Sequence, residues 1–196
     1  IYVSINSKGS ATHGNAILAR ELFFEEHPEA QNIMNIHIID GRTYTGGYGY
    51  AVVEGAKLLK NGAAAQDVVA YITDWCDICQ IFFVPYTLKY AAKSGRINGA
   101  TAFLGNALGI KPLMWIKDQA INDVAKIRGD KNVIKSVLDH TLEQMKPQTP
   151  YLIVCGSDSK SGEEMTKAMI DAVGYPPADT YEIGAEIAAN AGPKVV

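Results

Sequence analysis

The 196-residue sequence has no run of about 18 consecutive apolar residues and no N-terminal stretch with the pattern of a signal peptide. It also lacks a cluster of Lys and Arg residues, and its formal net charge is -3 at pH 7. A protein that binds nucleic acid or an anionic membrane through its surface charge would show such a cluster. We therefore predict a cytoplasmic protein that is neither an integral membrane protein nor a nucleic-acid-binding protein.

The sequence also lacks the ligand spacing of a metal site. Four histidines are present without that spacing: His13, His27, His37 and His140. The single C-x-x-C motif, Cys76 and Cys79, lies on the apolar stripe of a predicted helix, and Cys155 ends an apolar run typical of a strand. We therefore predict three buried structural thiols, no bound metal and no cofactor.

Recognisable catalytic motifs are missing too. There is no G-x-x-x-x-G-K-[ST] phosphate-binding loop and no compact set of nucleophile, acid and base. What the sequence does contain is a hydroxyl-rich turn over residues 4–16, SINSKGSATHGNA. Its hydroxyls and the peptide N–H groups of the following helix favour binding of one small anionic or polar group. The same residues are also typical of a plain helix cap, so the residues alone leave both interpretations open.

The first 84 residues alternate between strand-like and helix-like segments. After an opening strand, Ile1-Tyr2-Val3, we predict these elements: a helix over 12–26, a strand over 33–39, helices over 48–60 and 64–80, and a strand over 81–84. Parallel strands need crossover connections of this kind, so the pattern predicts a parallel-sheet α/β domain over 1–84. Because the chain opens within a strand, we expect this domain to be incomplete at its N-terminus.

The second half, residues 85–196, has a different pattern. The predicted elements are a helix over 99–108, strands over 112–117 and 121–127, a helix over 130–145, a strand over 151–155, a helix over 162–173 and a last strand over 180–187. Asp118 and Gln119 form a hairpin-like turn between the first two of these strands. We therefore predict a smaller α+β second domain with mostly antiparallel strands.

Five segments of the sequence resemble motifs of one known family. Residues 5–16 of the turn, INSKGSATHGNA, are similar to I-S-S-x-x-S-G-T-Y-x-S-A of the DegV family of fatty-acid-binding proteins. The other four are Ile39-Asp40-Gly41-Arg42 (I-D-S-R), Lys93-Ser94-Gly95-Arg96-Ile97 (K-G-G-R-I), Leu108-Gly109-Ile110-Lys111-Pro112 (L-N-I-K-P) and Lys126-Ile127-Arg128-Gly129 (K-V-R-G). Each motif is weak by itself, but their order and spacing agree across residues 1–193 and make the resemblance specific.

The resemblance implies a two-domain bacterial protein that buries a long-chain fatty acid in a cleft between its domains and does not itself catalyse a reaction. Some members carry the acyl group for a fatty acid kinase, so a catalytic kinase subunit is an expected partner. The ligand-binding residues implied are Ser7, Ser10 and Thr12 for the carboxylate, Arg96 and Arg128 for an acyl phosphate or a partner surface, and Phe103, Leu104, Ala107, Leu108 and Ile110 for the acyl tail. Helix capping, solvated arginines and plain core packing are the alternative interpretations of these three groups.

The closing motif departs from the family pattern. I-G-x-x-I-G-T-H-x-G-P corresponds to residues 183–193, and the Thr-His pair is here Ala189-Asn190. Asn190 can hydrogen-bond to a head group but cannot carry a positive charge. We therefore expect lipid binding with impaired presentation to a kinase. Two other functions stay open: action on a small phosphorylated substrate at the same turn, and a ligand-free interaction protein.

Overall fold

The computed structural model describes residues 1–95 and 109–196. The chain divides into two compact units, the first formed by Ile1–Gln80 and Lys117–Ala120 and the second by Ile81–Ile116 and Ile121–Val196. Our sequence-based boundary followed residue 84 and made the second domain the smaller one, whereas the second unit begins at Ile81 and holds more of the chain. Within the described residues, no helix combines the length and the apolar composition needed to cross a bilayer.

The first unit is a parallel α/β arrangement, as predicted. Strands β1 and β2 pair in parallel, with Val3 opposite Ile39. The elements in chain order are β1 (Tyr2–Ser4), α1 (Thr12–Glu26), a 3-10 turn (Pro28–Asn32), β2 (Ile38–Asp40), α2 (Gly46–Lys60) and α3 (Ala65–Ile78). The strand predicted over 33–39 begins only at Ile38, because β1 offers a partner for just three residues.

The core of the first unit is formed where α2 and α3 pack together and α3 meets β2. Its buried side chains are Ile39, Ala51, Val68, Ile72 and Cys76. They include Cys76, which the sequence predicts to lie on the apolar stripe of α3. Trp75 Nε1 donates a hydrogen bond of 2.6 Å to the carbonyl oxygen of Gly47, which fixes α3 against the first turn of α2.

The second unit contains a three-stranded sheet in the order β3-β4-β5, formed by Ile81–Phe83, Ile110–Lys117 and Ala120–Arg128. Strand β3 pairs antiparallel with β4, so the strand predicted over 81–84 belongs to the second unit and not to the first. Asp118 and Gln119 both have left-handed backbone angles, with φ of 51° and 67°. Two such residues form the tight turn that matches the twist of an antiparallel pair, which confirms the predicted hairpin.

The remaining elements of the second unit are α4 (Lys89–Ser94), a 3-10 turn (Asp130–Asn132), α5 (Val133–Gln144), β6 (Leu152–Cys155), α6 (Ser159–Val173), β7 (Asp179–Glu182) and α7 (Ala185–Ala191). Strands β6 and β7 pair in parallel, so the second unit is mixed. The predicted strand over 180–187 was wrong beyond Glu182. The segment AEIAANA is rich in strong helix formers and forms α7 instead. The predicted helix over 99–108 lies outside the described residues.

The C-terminal residues connect the two sheets of the second unit. The amide of Gly156, next to β6, donates to Val195 O at 2.9 Å, and the amide of Val84, next to β3, donates to Val196 O at 2.6 Å. Val195 and Val196 are both buried. The core around them contains Val84, Leu113, Val133, Val137, Met165, Met169 and Val196. The tail therefore acts as an additional extended segment between β3 and β6.

Candidate ligand-binding site

Polar side chains gather where β1 and β2 end. The two strands are parallel, so their carboxyl ends meet at one edge, and Ser4 pairs in register with Asp40. We call the residues gathered at this edge the polar cluster: Ser4, Asn6, Ser7, Asp40, Tyr44 and Gln119. All of them belong to the first unit. The sequence predicted Ser7 at this site but not the other five.

Asn6 is the fully buried centre of the polar cluster, with 0% of its surface exposed. Its Oδ1 accepts a 3.0 Å hydrogen bond from the amide of Lys8. Its Nδ2 donates to Tyr44 Oη at 3.3 Å and to Gln119 O at 3.0 Å. The side chain thus holds together the hydroxyl-rich turn, the segment after β2 and the hairpin turn.

Asp40 accepts hydrogen bonds on both carboxylate oxygens. Its Oδ1 accepts from the amides of Ser7 at 3.0 Å and Arg42 at 2.9 Å. Its Oδ2 accepts from the hydroxyl of Ser7 and, at 3.5 Å, from Gln119 Nε2. Burial raises the pKa of Asp40, but the Ser7 hydroxyl, the two amides and the charge of His13 outweigh it and lower the pKa below its ordinary value of 3.8. Asp40 is therefore ionised at neutral pH.

Ser10 and Thr12 lie at the start of α1, on the more exposed side of the turn. Ser10 Oγ and Thr12 Oγ1 are 2.8 Å apart and hydrogen-bonded. Ser10 Oγ also accepts a 3.3 Å hydrogen bond from the amide of Thr12, although the N-cap residue itself is Ala11, which has no side chain that could cap the helix. The pair has two hydroxyl protons and its mutual bond uses one. No described residue accepts the second, so this proton is free to donate to water or to a ligand.

The turn after β2 has strained backbone. Arg42 and Thr45 have φ of 53° and 52°, in the left-handed region that β-branched residues such as threonine avoid. Between them, Thr43 is buried, and its Oγ1 makes no hydrogen bond within the described part of the chain. The Thr43 hydroxyl lowers the pKa of the neighbouring Cys79 thiol, but burial has the larger effect, and the pKa is raised overall to about 11. Strain of this kind costs about 1–3 kcal/mol per residue and is concentrated at binding sites.

The predicted site residues of the second unit are less closely grouped. Ile110 is half-buried at the start of β4, and Arg128 is exposed at the end of β5, so both lie at the open end of the hairpin. Asn190 lies on α7, where its Nδ2 donates to Glu186 O at 2.8 Å. Five predicted residues lie outside the described ranges: Arg96, Phe103, Leu104, Ala107 and Leu108.

Lys111, next to Ile110, forms an ion pair that the sequence did not predict. Its Nζ lies 2.5 Å from Asp130 Oδ1, and only 12% of the side chain is exposed. Lys194 lies 4.0 Å from Asp130 and 3.3 Å from Asp158, and its Nζ is 4.3 Å from the centre of the Tyr86 ring. Each lysine therefore has a carboxylate partner, and these contacts fix the C-terminal segment.

Of the three free cysteines, Cys76 and Cys155 are buried as predicted, whereas Cys79 is only partly buried. Burial, followed by the neighbouring Cys79 and Asp77, raises the pKa of Cys76 to about 12. Burial also raises the pKa of Cys155. Thiols in this state are poor nucleophiles at neutral pH. In residues 1–95 and 109–196, no three His, Cys, Asp or Glu side chains are grouped closely enough to hold a metal ion.

With the polar cluster and the fold established, comparison with known proteins identifies the family. A family model for the uncharacterised DegV proteins matches residues 1–196. The chain belongs to the DegV family. The DegV domain-containing protein YteA of Lactococcus lactis is 27% identical over 98% of this chain, which covers 66% of that relative. A DegV domain-containing protein of Clostridium perfringens, CPE0304, is 30% identical over 77% of this chain and 52% of its own length.

Solved structures of DegV proteins share the fold. A fatty-acid-binding DegV protein from Thermus thermophilus is 25% identical, with a TM-score of 0.77 over 98% of this chain and 68% of its own. A DegV protein from Eubacterium eligens loaded with heptadecanoic acid is 18% identical, with a TM-score of 0.86 over 98% of this chain and 69% of its own. The Streptococcus pneumoniae fatty acid kinase B3 protein loaded with linoleic acid is 19% identical, with a TM-score of 0.84 over 98% of this chain and 68% of its own. The chain thus spans about two-thirds of the length of these DegV proteins.

Proposed function

We propose that this chain binds a long-chain fatty acid and holds its carboxylate at the hydroxyl-rich turn. The observation that carries the proposal is the available hydroxyl proton of the Ser10–Thr12 pair at the start of α1. The fatty acid bound by the Thermus thermophilus relative supports the choice of ligand. The ligand is a bound molecule and not a cofactor of a reaction, and we place the protein in the cytoplasm.

The physical reason is the high cost of removing a carboxylate from water. An ionised carboxylate in an apolar site needs several donors, and charge-assisted hydrogen bonds are the strong ones. The first four amides of a helix lack partners within the helix, and the helix dipole favours negative charge at this end. Helix α1 begins at Thr12 and has 15 residues. Its first turn can therefore add amide donors to the hydroxyl of the Ser10–Thr12 pair.

We further propose that the protein presents the acid to a fatty acid kinase instead of transforming it. The kinase-associated relative from Streptococcus pneumoniae supports this role. Arg128, exposed at the end of β5, suits contact with an acyl phosphate or a partner surface. The alternative, a small phosphorylated substrate, would also have to bind at the Ser10–Thr12 pair, because the ionised carboxylate of Asp40 would repel a phosphate at Ser7.

The proposal is tested by mass spectrometry of lipids extracted from the purified protein and by thermal melts with oleic acid. We expect co-purified fatty acid and a raised melting temperature. A ligand at a hundredfold excess over its Kd stabilises the folded state by about 2.7 kcal/mol. Methyl oleate, which keeps the tail but lacks the charge, serves as the control and should stabilise less. Absence of both bound lipid and any melting shift would overturn the proposal.

A further inference from the structure

Ser7 contacts the carboxylate of Asp40 through both its backbone amide and its side-chain hydroxyl. A serine hydroxyl has one proton, and Ser7 directs it at Asp40 Oδ2, while the Ser7 amide donates to Oδ1 at 3.0 Å. Two further donors, the amide of Arg42 and Gln119 Nε2, hold the carboxylate in place. Ser7 Oγ is left with lone pairs only, next to a fixed negative charge.

We propose that Asp40 is a specificity-determining residue, which keeps Ser7 from donating to the ligand and directs the fatty-acid carboxylate to the Ser10–Thr12 pair. This inference rests on the proposed function. It separates Ser7 from Ser10 and Thr12, although the sequence analysis assigned all three hydroxyls to the ligand carboxylate. Ser10 and Thr12 share one available proton for the ligand, whereas the Ser7 proton belongs to Asp40. A carboxylate placed at Ser7 would face both an acceptor and a like charge.

The substitution Asp40→Asn reverses the direction of the hydrogen bond with the Ser7 hydroxyl and changes the shape of the side chain very little. The Asn Oδ1 can still accept from the amides of Ser7 and Arg42, as Asp40 Oδ1 does. Its Nδ2 becomes a donor to Ser7 Oγ, which frees the serine proton for the ligand. The negative charge disappears at the same time. Asp40→Asn should therefore bind oleic acid more tightly, by about tenfold, which corresponds to about one additional charge-assisted hydrogen bond.

The gain should depend on Ser7, because part of it comes from the released hydroxyl. We expect Asp40→Asn to tighten oleic acid binding by only about threefold when Ser7→Ala is also present, which a double-mutant cycle measures. Ser10→Ala should weaken binding of oleic acid by at least about fivefold, more than Ser7→Ala does. Asp74→Asn, which removes an exposed carboxylate from α3, is the matched control for charge.

The experiment is calorimetric titration of the parent protein and these variants with oleic acid and with methyl oleate. The affinity changes should appear with the acid and be small with the ester. An equal gain from Asp40→Asn with and without Ser7, no gain at all, or a larger loss from Ser7→Ala than from Ser10→Ala would overturn the inference. If Asp40→Asn does not fold, the comparison of Ser7→Ala with Ser10→Ala decides alone. A parent protein that binds no oleic acid would instead overturn the proposed function.

Discussion

The backbone of Gly9 lies directly against the phenol hydroxyl of Tyr44. A Cβ atom on Gly9 would come well inside 3.0 Å of Tyr44 Oη, closer than real Cβ contacts allow. The same hydroxyl accepts the 3.3 Å hydrogen bond from Asn6 Nδ2. The lack of a side chain at Gly9 therefore allows the polar cluster to close around Asn6.

Gly9→Ala should consequently destabilise the protein. Tyr44 must move to make room for the new methyl group, and its hydrogen bond with Asn6 is lost, at a cost of about 1–2 kcal/mol in the free energy of unfolding. Urea denaturation measures this difference. Gly14→Ala is the matched control, since Gly14 lies in α1 with no atom within 4 Å of an added Cβ. It should be neutral or stabilising by up to about 1 kcal/mol, because alanine favours a helix more than glycine does.

A second close approach holds the C-terminal segment in place. A Cβ on Gly156 would collide with the carbonyl oxygen of Pro193, a backbone atom that cannot rotate away. We expect Gly156→Ala to displace this segment, expose Val195 and Val196, and lower the free energy of unfolding by about 3 kcal/mol. Gly49→Ala, within α2, has open space around its added Cβ and is the control. Equal unfolding midpoints for the two variants would contradict this prediction.

The buried thiol of Cys76 makes stability depend on pH in the alkaline range. Its pKa is raised from 9.0 to about 12, so above pH 9 the unfolded chain loses this proton while the folded protein keeps it. The stabilising contribution is therefore complete below about pH 9 and is lost as the pH rises toward 12. We expect this group alone to lower the free energy of unfolding by about 1 kcal/mol between about pH 8 and about pH 10.

Cys76→Ala tests that dependence. The variant should be less stable at pH 8 because of lost packing, but its free energy of unfolding should fall less steeply toward pH 10. Ile72→Val, in the same core, removes a methylene group without removing a titrating group and serves as the control. It should keep the steep alkaline slope of the parent protein. Parallel pH profiles for all three proteins would show that the thiol does not titrate as described.

Much of the first unit could be predicted from the sequence because local patterns determine it. Helix α1 has the predicted limits, and the apolar stripe of α3 identified Cys76 as a core residue. The polar cluster could not be found in this way. Asn6 and Gln119 are 113 positions apart, and only the folded chain brings them together. One signal in the sequence could have indicated Asp40. This residue ends a strand predicted to run parallel to β1, and the carboxyl ends of parallel strands meet at the same edge of a sheet.

The second unit shows where local patterns fail. The sequence predicts one strand over 180–187, but a strand needs a partner, and β6 provides one only as far as Glu182. Beyond that point the intrinsic helix preference of an alanine-rich segment prevails. Lys111 was read as part of a motif, yet its ion pair with Asp130 depends on the return of β5 beside β4.

The last prediction concerns Asn190, where the family pattern has a histidine. The side chain donates to Glu186 O within its own helix, and an amide cannot become positively charged. An imidazolium at this position could stabilise the negative charge that develops during phosphoryl transfer. Because such an interaction is made mainly in the transition state, it would raise turnover more than it tightens lipid binding.

We therefore expect this protein to bind oleic acid but to be a poor substrate for the catalytic subunit of a fatty acid kinase. Ala189→Thr combined with Asn190→His should raise the rate of acyl-phosphate formation at saturating lipid by about tenfold or more, with a smaller change in lipid affinity. Asn190→Gln keeps a neutral amide and should give no such gain. The measurement compares the parent and both variants with the same kinase subunit. If the parent supports transfer as efficiently as the double variant, the Thr-His pair is dispensable, and Asn190 does not limit presentation of the acid.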